Sequence, residues 1–352
     1  MTSRSTSLYE FGYNFLGPIC SEYFFNLLTE IELSDPSEIV FLAREGYFFS
    51  KAYQVLVDKG LAEERNRFYL LASRSFLFRI TITDKNARSL SLNTKYAGTV
   101  KQLLMGRYGF TLRQVDEIFS VEELESECCL PEGSSKLEDL LNKYHSQLND
   151  LIQPSKQAYL LYLQTLGLNA GSKPLLVDIG YSGTIQKLLT YLVGMNSSAL
   201  YFITTQQGNQ RVNENTIFMK SVFKDGVKMG DGYTMLDRSL LFESLLTSPN
   251  GQFIDIEKRI GGSGELFNFY FGRKSNPQCS IHDLERIFDG AIDNIVHNLS
   301  NGLRFSCTEI ETLFEHYAFS RHFFPKDVWP LFDVDDAISG NGNVNPLQLF
   351  RI

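Results

Sequence analysis

The residues best suited to chemistry form a short polar run that follows an apolar stretch. A strand is predicted over residues 174–179, with Leu-Leu-Val at 175–177 and then Asp178, and Ser-Gly-Thr at 182–184 opens a helical pattern. The free N–H groups of a helix start, two hydroxyls and the positive end of the helix dipole together suit a phosphate. Gly183 lets the backbone approach an anion closely. Asp178 suits hydrogen bonds from sugar hydroxyls or a Mg²⁺ ion held through water. The spacing predicts a sugar-phosphate site; a capped helix beside a satisfied aspartate is the simpler alternative.

Two further polar groups follow predicted strands. A strand over residues 38–43 ends at Arg44-Glu45-Gly46, and a strand over residues 67–73 ends at Ser73-Arg74. A guanidinium binds phosphate through two parallel hydrogen bonds. Because ligands bind at the carboxyl ends of parallel strands, we expect both arginines near Asp178. Pairing of the arginines with the protein's own carboxylates is the alternative.

The elements that must position these residues alternate between strand and helix. Helical spacing covers residues 9–32, 47–59 and 184–193, and further strands are predicted at 199–204 and 216–222. Strand, turn, helix and strand in this order predict a parallel α/β sheet.

The remainder of the chain shows mainly helical patterns. Residues 75–171 predict a helical insertion into an α/β core formed by residues 1–74 and 172–235, and residues 236–352 predict a mostly helical C-terminal region. The predicted fold class is α/β, with a parallel Rossmann-like sheet. The predicted N-caps within the insertion are Thr111 and Ser135.

Composition excludes several classes of protein. The 33 Lys and Arg residues against 41 Asp and Glu give a formal net charge of -8, which argues against binding of nucleic acid as a polymer but allows a local pocket for one small anion. The 5 cysteines are scattered and include no Cys-x-x-Cys pair for zinc, which favours a reduced, cytoplasmic compartment. The apolar stretches are too short to span a membrane, so a soluble protein is expected.

The three strand ends together resemble type I phosphoribosyltransferases. Residues 177–184 are similar to the family's ribosyl-phosphate loop, with Asp178 at its second acid and Ser182-Gly183 at its Thr-Gly pair. Ala43-Arg44-Glu45-Gly46 resembles the loop that holds pyrophosphate, and Ser73-Arg74 resembles the basic site after the second strand. The resemblance implies binding of phosphoribosyl pyrophosphate (PRPP) with Mg²⁺. The substrate-binding residues implied are Arg44, Gly46, Ser73, Arg74, Gly180, Tyr181, Ser182, Gly183 and Thr184.

Three positions depart from this family's pattern. Val177 stands at the first acid, and Tyr181 stands where many members carry an acid that assists the base. Ile185 occupies the last hydroxyl position, with Thr184 one place early. These departures argue against a purine or pyrimidine acceptor and against a salvage role.

A second set of motifs occurs in chain order: Phe11-Gly12-Tyr13 through Leu16-Gly17-Pro18, then residues 41–47, 73–74, 177–186 and 243–251. These motifs resemble domains of bacterial surface-polysaccharide assembly proteins, over roughly residues 9–255. The resemblance implies transfer of 5-phosphoribosyl from PRPP to a sugar hydroxyl of an O-antigen or capsule glycan, as a route to ribofuranose. It also implies a lipid-linked acceptor, a partner HAD-type phosphatase acting on the product, and a location peripheral to the inner face of the membrane.

The implied reaction needs a general base, because a sugar hydroxyl is a poor nucleophile until its proton leaves. Glu45 and Glu243 are the candidates beside Asp178, and Asp225 and Asp231 are weaker ones. Glu45 is alternatively a helix-start carboxylate stabilised by the dipole, and Glu243 a buried, paired acid.

Two other functions stay open at this point. A HAD-like phosphatase needs an aspartate nucleophile after the first strand, where Ala43 and Arg44 stand, and none of the predicted strands ends in Asp-x-Asp. A non-catalytic binding module of a glycan assembly complex would use the same anion pocket, and the absence of the first acid at Val177 favours it.

Overall fold

The computed structural model describes residues 3–259, 266–335 and 342–352. The strands, in chain order, are β1 Ile39–Leu42, β2 Arg67–Leu70, β3 Tyr96–Thr99, β4 Glu127–Leu130, β5 Leu175–Val177, β6 Ser197–Ile203, β7 Gly208–Val212, β8 Asn215–Lys224, β9 Phe253–Lys258, β10 Phe267–Phe271, β11 Val334–Asp335 and β12 Asn343–Val344. The helices are α1 Ser3–Phe11, α2 Gly17–Ser34, α3 Gly46–Asp58, α4 Arg74–Ile80, α5 Lys85–Leu92, α6 Val100–Tyr108, α7 Leu112–Ile118, α8 Val121–Leu124, α9 Ser134–Lys143, α10 His145–Thr165, α11 Thr184–Val193, α12 Thr234–Asp237, α13 Leu240–Leu245, α14 Asn276–Cys279, α15 Ile281–Asn301, α16 Cys307–Phe319 and α17 Pro346–Leu349.

The main sheet has six strands in the order β2-β1-β5-β6-β8-β7. Five of them are parallel, as predicted, and the edge strand β7 runs antiparallel to β8 as an unpredicted hairpin. The chain places β2 on one side of β1 and β5 on the other. The strand order therefore reverses between β1 and β5, and such a switch point is where open α/β sheets bind ligands.

Alternate side chains of the central strands enter two separate cores. Ile39, Phe41 and Val177 contribute to the first core, and Val40 and Leu176 contribute to the second. Helices α2, α3, α15 and α16 cover the first face, and α11 with most of the insertion covers the second. Burial on both faces explains why these strands are uninterrupted apolar runs in the sequence.

The N-terminal helical pattern is confirmed, with a π-helical turn at Gly12–Leu16 between α1 and α2. Glycines allow this segment to pack closely against α15. A Cβ at Gly12 would lie 2.0 Å from the Ile287 carbonyl oxygen, and one at Gly290 would lie 2.0 Å from the Tyr9 carbonyl oxygen. Gly12 of the Phe-Gly-Tyr motif and Gly290 of α15 therefore allow the N-terminal helices to pack closely against α15.

The insertion is largely helical, and it also contains the unpredicted β3–β4 pair. Thr111 caps α7 and forms a capping box with Gln114, as predicted. The predicted cap at Ser135 is wrong, because α9 begins one residue earlier and Gly133 precedes it without a side-chain cap.

The C-terminal region is helical in α13 to α16, but its antiparallel β9–β10 pair was not predicted. The alternation of Phe267, Phe269 and Phe271 with polar residues was the signal for this pair. Phe253 and Phe267 enter the second core with the insertion, whereas α15 and α16 enter the first. The predicted domain boundaries stay predictions. No helix within the described ranges is long and apolar enough to cross a lipid bilayer.

Candidate functional site

A cleft of about 240 Å³ opens where the loops after β1, β2 and β5 meet, at the switch point of the sheet. All the predicted site residues line this cleft except Gly46. The predicted residues in the lining are Arg44, Glu45, Ser73, Arg74, Asp178, Gly180, Tyr181, Ser182, Gly183, Thr184 and Glu243. The ends of β1, β2 and β5 therefore converge on one cleft, as expected.

Gly46 supports the cleft from behind. It is the buried first residue of α3, and a Cβ there would lie 2.6 Å from the Phe41 carbonyl carbon. Only a residue without a side chain lets α3 begin so close to β1. This packing role fixes the preceding Arg44-Glu45 turn, and the predicted contact of Gly46 with a substrate stays a prediction.

The loop after β5 is pressed against the neighbouring strands. Gly180 has a φ of +127°, and a Cβ there would lie 2.4 Å from the Ile203 carbonyl oxygen. Gly183 has a φ of +66°, and its Cβ would lie 2.7 Å from Met219 Cε. Both positions need glycine for conformation and for space, so the path of this loop is closely determined.

The same loop presents the start of α11 to the cleft. Gly183 is the N-cap residue of α11 and has no side chain that could accept a hydrogen bond. The first N–H groups of α11 therefore have no side-chain cap. The hydroxyls of Ser182 and Thr184 lie 2.9 Å apart. Hydroxyls and free N–H groups at the positive end of a helix form an anion-binding arrangement.

Two arginines add positive charge to the cleft. Arg44 is half-buried and Arg74 is exposed. Within the described ranges neither guanidinium makes an ion pair or a hydrogen bond, whereas Arg79 nearby is paired with Asp255 at 2.8 Å. Pairing of Arg44 and Arg74 with the protein's own carboxylates is thus not observed among the described residues. Both guanidinium groups are available to bind an anion.

Four carboxylates share the cleft with these arginines, and three of them, Asp178, Glu45 and Glu243, interact electrostatically. Burial raises the pKa of Asp178 well above its usual value, and the negative charges of Glu45 and Glu243 raise it further, against the opposing effects of the Ile179 N–H and Arg74. The Ile179 N–H donates to Asp178 Oδ1 at 2.8 Å. Such a concentration of acid groups favours a proton or a cation among them.

Tyr181 joins this acidic group to α13. Its ring packs against the first core, and its hydroxyl is buried beside Ser239. Burial raises the pKa of this hydroxyl well above its usual value, and the nearby Glu243 adds to the shift. Tyr181 therefore places a neutral, buried hydroxyl beside the start of the helix that carries Glu243.

Ser73 has a structural use in addition to its place in the lining. Its hydroxyl donates to the Phe253 carbonyl at 2.6 Å and accepts from the Phe76 N–H at 3.2 Å. It thereby caps α4 and fixes the start of β9, which orients Arg74 at the first position of α4.

The two weaker base candidates are not in the cleft lining. Asp225 accepts hydrogen bonds from the hydroxyls of Thr204 and Ser221, at 2.7 and 2.8 Å, and so ties β6 to β8. Asp231 accepts from the Lys228 N–H at 2.9 Å within a turn. Both carboxylates are engaged in local structure.

Several lining residues were not predicted. Gln252 follows the 243–251 motif directly, and Asp335 lies in the Asp-x-Asp of residues 333–335. That Asp-x-Asp belongs to the small β11–β12 pair, and Asp333 accepts from the Asn276 N–H and the Asn343 amide. One strand outside the main sheet, β11, therefore does end in Asp-x-Asp, which was not expected from the sequence. The other unpredicted polar or apolar side chains in the lining include Thr205, Met229, Leu236 and Phe253.

Replacing Gly180 with alanine should destabilise the protein by about 2–4 kcal/mol, because the new Cβ adds both backbone strain and a clash with Ile203. Gly194→Ala is the matched control, since Gly194 also has a positive φ of +73° but open space around it. We expect the control to lose about 1 kcal/mol in urea unfolding. Equal losses would show that the close approach to β6 is unimportant.

The chain is thus a mixed α/β protein with a polar cleft at the carboxyl ends of its parallel strands. No protein-family model matches the chain, and no curated protein sequence matches it significantly.

Proposed function

We propose that the protein is a glycan-directed phosphoribosyltransferase, which moves 5-phosphoribosyl from PRPP to a sugar hydroxyl of a bacterial polysaccharide and releases pyrophosphate. One observation carries the proposal: two arginines without an ion pair among the described residues, a helix start without a side-chain cap and four carboxylates converge on one cleft. Numbered in chain order, the five parallel strands have the order 2-1-3-4-5, a doubly wound order that binds ligands at this point. A Rossmann-like sheet of phosphoribosyltransferase type is part of this proposal.

The donor would be held by groups of opposite charge. Arg44 and Arg74 would bind the pyrophosphate group, because a guanidinium fork matches phosphate oxygens. The N–H groups and hydroxyls of Ser182, Gly183 and Thr184 would bind the 5-phosphate. Asp178 would accept hydrogen bonds from the ribose hydroxyls between them.

Magnesium suits this cleft as part of the substrate. Among the described residues there is no group of three or more His, Cys, Asp or Glu side chains that could hold a metal ion by itself. Mg²⁺ commonly keeps several waters and binds one or two carboxylates together with substrate phosphates. Asp178, whose pKa is raised by burial and then by the charges of Glu45 and Glu243, would contact the ion through water. The ion would neutralise charge on the departing pyrophosphate.

The transfer step breaks the bond between the anomeric carbon and pyrophosphate, and the electron pair leaves with the pyrophosphate oxygen. The acceptor oxygen forms the new bond to that carbon, and its proton passes to a carboxylate of the cleft. We assign this proton to the group of Asp178, Glu45 and Glu243 together, because interacting acids titrate as a set. A raised pKa brings a carboxylate closer to the basicity that general-base catalysis near neutral pH requires.

The proposed setting is the cytoplasmic face of the inner membrane, where a lipid-linked glycan would be the acceptor. A separate HAD-type phosphatase would then remove the 5-phosphate from the product. The chain itself carries Ala43 and Arg44 after its first strand, so the nucleophile of a phosphatase is missing at that place.

The decisive experiment combines the protein, PRPP, Mg²⁺ and a synthetic or lipid-linked glycan acceptor. Calorimetry should detect PRPP binding, and transfer should release pyrophosphate and add one phosphoribosyl unit to the mass of the acceptor. Failure to bind PRPP would contradict the proposal. Binding without turnover on any acceptor would favour a non-catalytic module. Phosphate release from a phosphoribosylated glycan would favour a phosphatase.

A further inference from the structure

A surface outside the cleft combines exposed apolar and basic side chains. Phe319, Phe323 and Leu349 are 61%, 51% and 55% exposed. The exposed cations Arg321, Lys326 and Arg351 belong to the same region of the chain's C-terminal part. We call these six residues the aromatic-basic patch.

Direct contacts join the parts of this patch. The Arg238 guanidinium lies 4.2 Å from the ring centre of Phe319 and 5.3 Å from that of Phe350, which links the end of α16 to α17. Arg321 lies 3.6 Å from the ring centre of Trp329, the single tryptophan of the protein. A hollow of about 350 Å³ is lined by Arg321, Trp329 and Arg351 together. These contacts place Phe319 beside α17 and Arg321 beside Arg351, and Phe323 and Lys326 follow Arg321 within five residues of the chain.

The patch differs from the rest of the described surface in two ways. Phe319 and Phe323 are the only phenylalanines among the exposed large apolar side chains of the described residues. The protein carries a formal net charge of -8, yet the segment 319–329 contains Arg321, Lys326 and the single acid Asp327. Local positive charge with exposed aromatic rings complements an anionic surface that has an apolar interior.

The patch also lies close to the cleft. Leu236 lines the cleft, and two residues later Arg238 stacks on Phe319. Asp335 lines the cleft six residues after Trp329. A segment of six residues spans at most about 20 Å, so the patch and the cleft are close neighbours.

We propose that the aromatic-basic patch docks the protein on an anionic lipid bilayer. The apolar tips of Phe319, Phe323 and Leu349 enter the headgroup region, and the neighbouring cations contact anionic headgroups. Lipid binding itself is independent of the transfer reaction. Its consequence, that the cleft is held near a lipid-linked acceptor, rests on the proposed function.

Co-sedimentation of the full chain with vesicles tests the proposal. We expect binding to vesicles of phosphatidylcholine with phosphatidylglycerol, little binding to phosphatidylcholine alone, and weaker binding as salt is added. The double variant Arg321→Glu and Arg351→Glu should bind at least ~30-fold more weakly, since each cation near an anionic surface contributes about fivefold or more. The double variant Phe319→Ser and Phe323→Ser should lose binding by about tenfold. Leu33→Ser and Lys59→Glu, at exposed positions of other elements, are the matched controls and should bind as the wild type does.

Other outcomes would overturn the proposal. Absence of binding to anionic vesicles, or equal binding by patch variants and controls, would do so. Size-exclusion chromatography tests whether the patch binds a second copy of the chain instead. If the wild type is a dimer, both patch variants are monomers and vesicle binding is unchanged, the patch is a self-association surface. Should a double variant show a lowered melting temperature, the single variants Arg321→Gln and Arg351→Gln replace it. PRPP calorimetry on the same proteins separates the two proposals, because patch variants should bind PRPP normally.

Discussion

Asp178→Asn is expected to lower the rate of phosphoribosyl transfer by about 10³-fold, the effect of removing a group that takes part in proton transfer and substrate orientation. The side chain of asparagine keeps the shape of aspartate and still accepts a hydrogen bond from the Ile179 N–H. It has no negative charge to share with Glu45 and Glu243. The loss should therefore appear mainly in kcat, measured as pyrophosphate release at saturating PRPP.

The same substitution should stabilise the folded protein at neutral pH by about 1 kcal/mol. In the folded state the pKa of Asp178 is raised, so this carboxyl binds its proton more tightly than in the unfolded chain. As pH rises from the usual pKa of an aspartate through the raised folded pKa, stability falls, because the unfolded state releases its proton first. Asparagine does not ionise, so the variant should lose this pH-dependent decline and equal the wild type in acid.

Thermal unfolding of both proteins as a function of pH measures this effect. Asp225→Asn is the matched control, because Asp225 accepts hydrogen bonds from Thr204 and Ser221 outside the cleft and has a structural use. We expect this control to lose stability rather than gain it. A fall in the melting temperature of Asp178→Asn at neutral pH would mean that the carboxylate is well satisfied in the folded protein, and would remove the argument for a cluster of acids.

The strands and loops that form the cleft could be predicted because their signals are local. Strands β1 and β5 are unbroken apolar runs that end abruptly in polar residues, and Gly180 and Gly183 mark a loop of unusual conformation. Parallel strands place such ends on one edge of a sheet. These rules suffice to predict from the sequence that Arg44 and Asp178 lie in one cleft.

The rest of the site depends on contacts that are distant in the sequence. Asp335 reaches the cleft from a two-residue strand, and Gln252 reaches it because Gly251 packs against the Gly272 carbonyl oxygen, 2.2 Å from where a Cβ would lie. The position of Gly46 behind the cleft likewise follows from its approach to Phe41. These close contacts join residues that are distant in the sequence. They depend on how the helices and strands pack against each other, which residue type and spacing do not specify.

The combination of unpaired cations with clustered acids is more informative about binding than either group alone. If Arg44 and Arg74 paired with Glu45 and Glu243, the protein itself would satisfy both cations of the cleft. Among the described residues the arginines instead make no ion pair, while Asp178 has a raised pKa. Cations without an ion pair, placed in one cleft with clustered acids, suit a ligand that has a polyanionic end and a hydroxyl-bearing end.

Arg44→Ala should weaken PRPP binding by about 100-fold, because a charge-assisted pair of hydrogen bonds in a half-buried place is lost. Arg44→Lys should weaken it by about 10-fold, since the ammonium keeps the charge but cannot form the planar fork. Arg74 is exposed, and Arg74→Ala should cost less, about fivefold, because solvent screens its charge. Calorimetric titration with PRPP and Mg²⁺ measures all three dissociation constants.

Arg113→Ala is the matched control for these variants, because Arg113 is an exposed arginine of α7 that pairs with Glu117 at 2.7 Å. It should leave PRPP binding unchanged. Removal of Arg44 should also leave the melting temperature of the unliganded protein nearly unchanged, since within the described ranges its guanidinium makes no ion pair. A large loss of stability would mean that Arg44 holds the loop in place, and an equal loss of PRPP affinity in Arg44→Ala and Arg113→Ala would show that net charge rather than the cleft attracts the anion. Only a selective loss of affinity with an intact fold fits a guanidinium that contacts pyrophosphate directly.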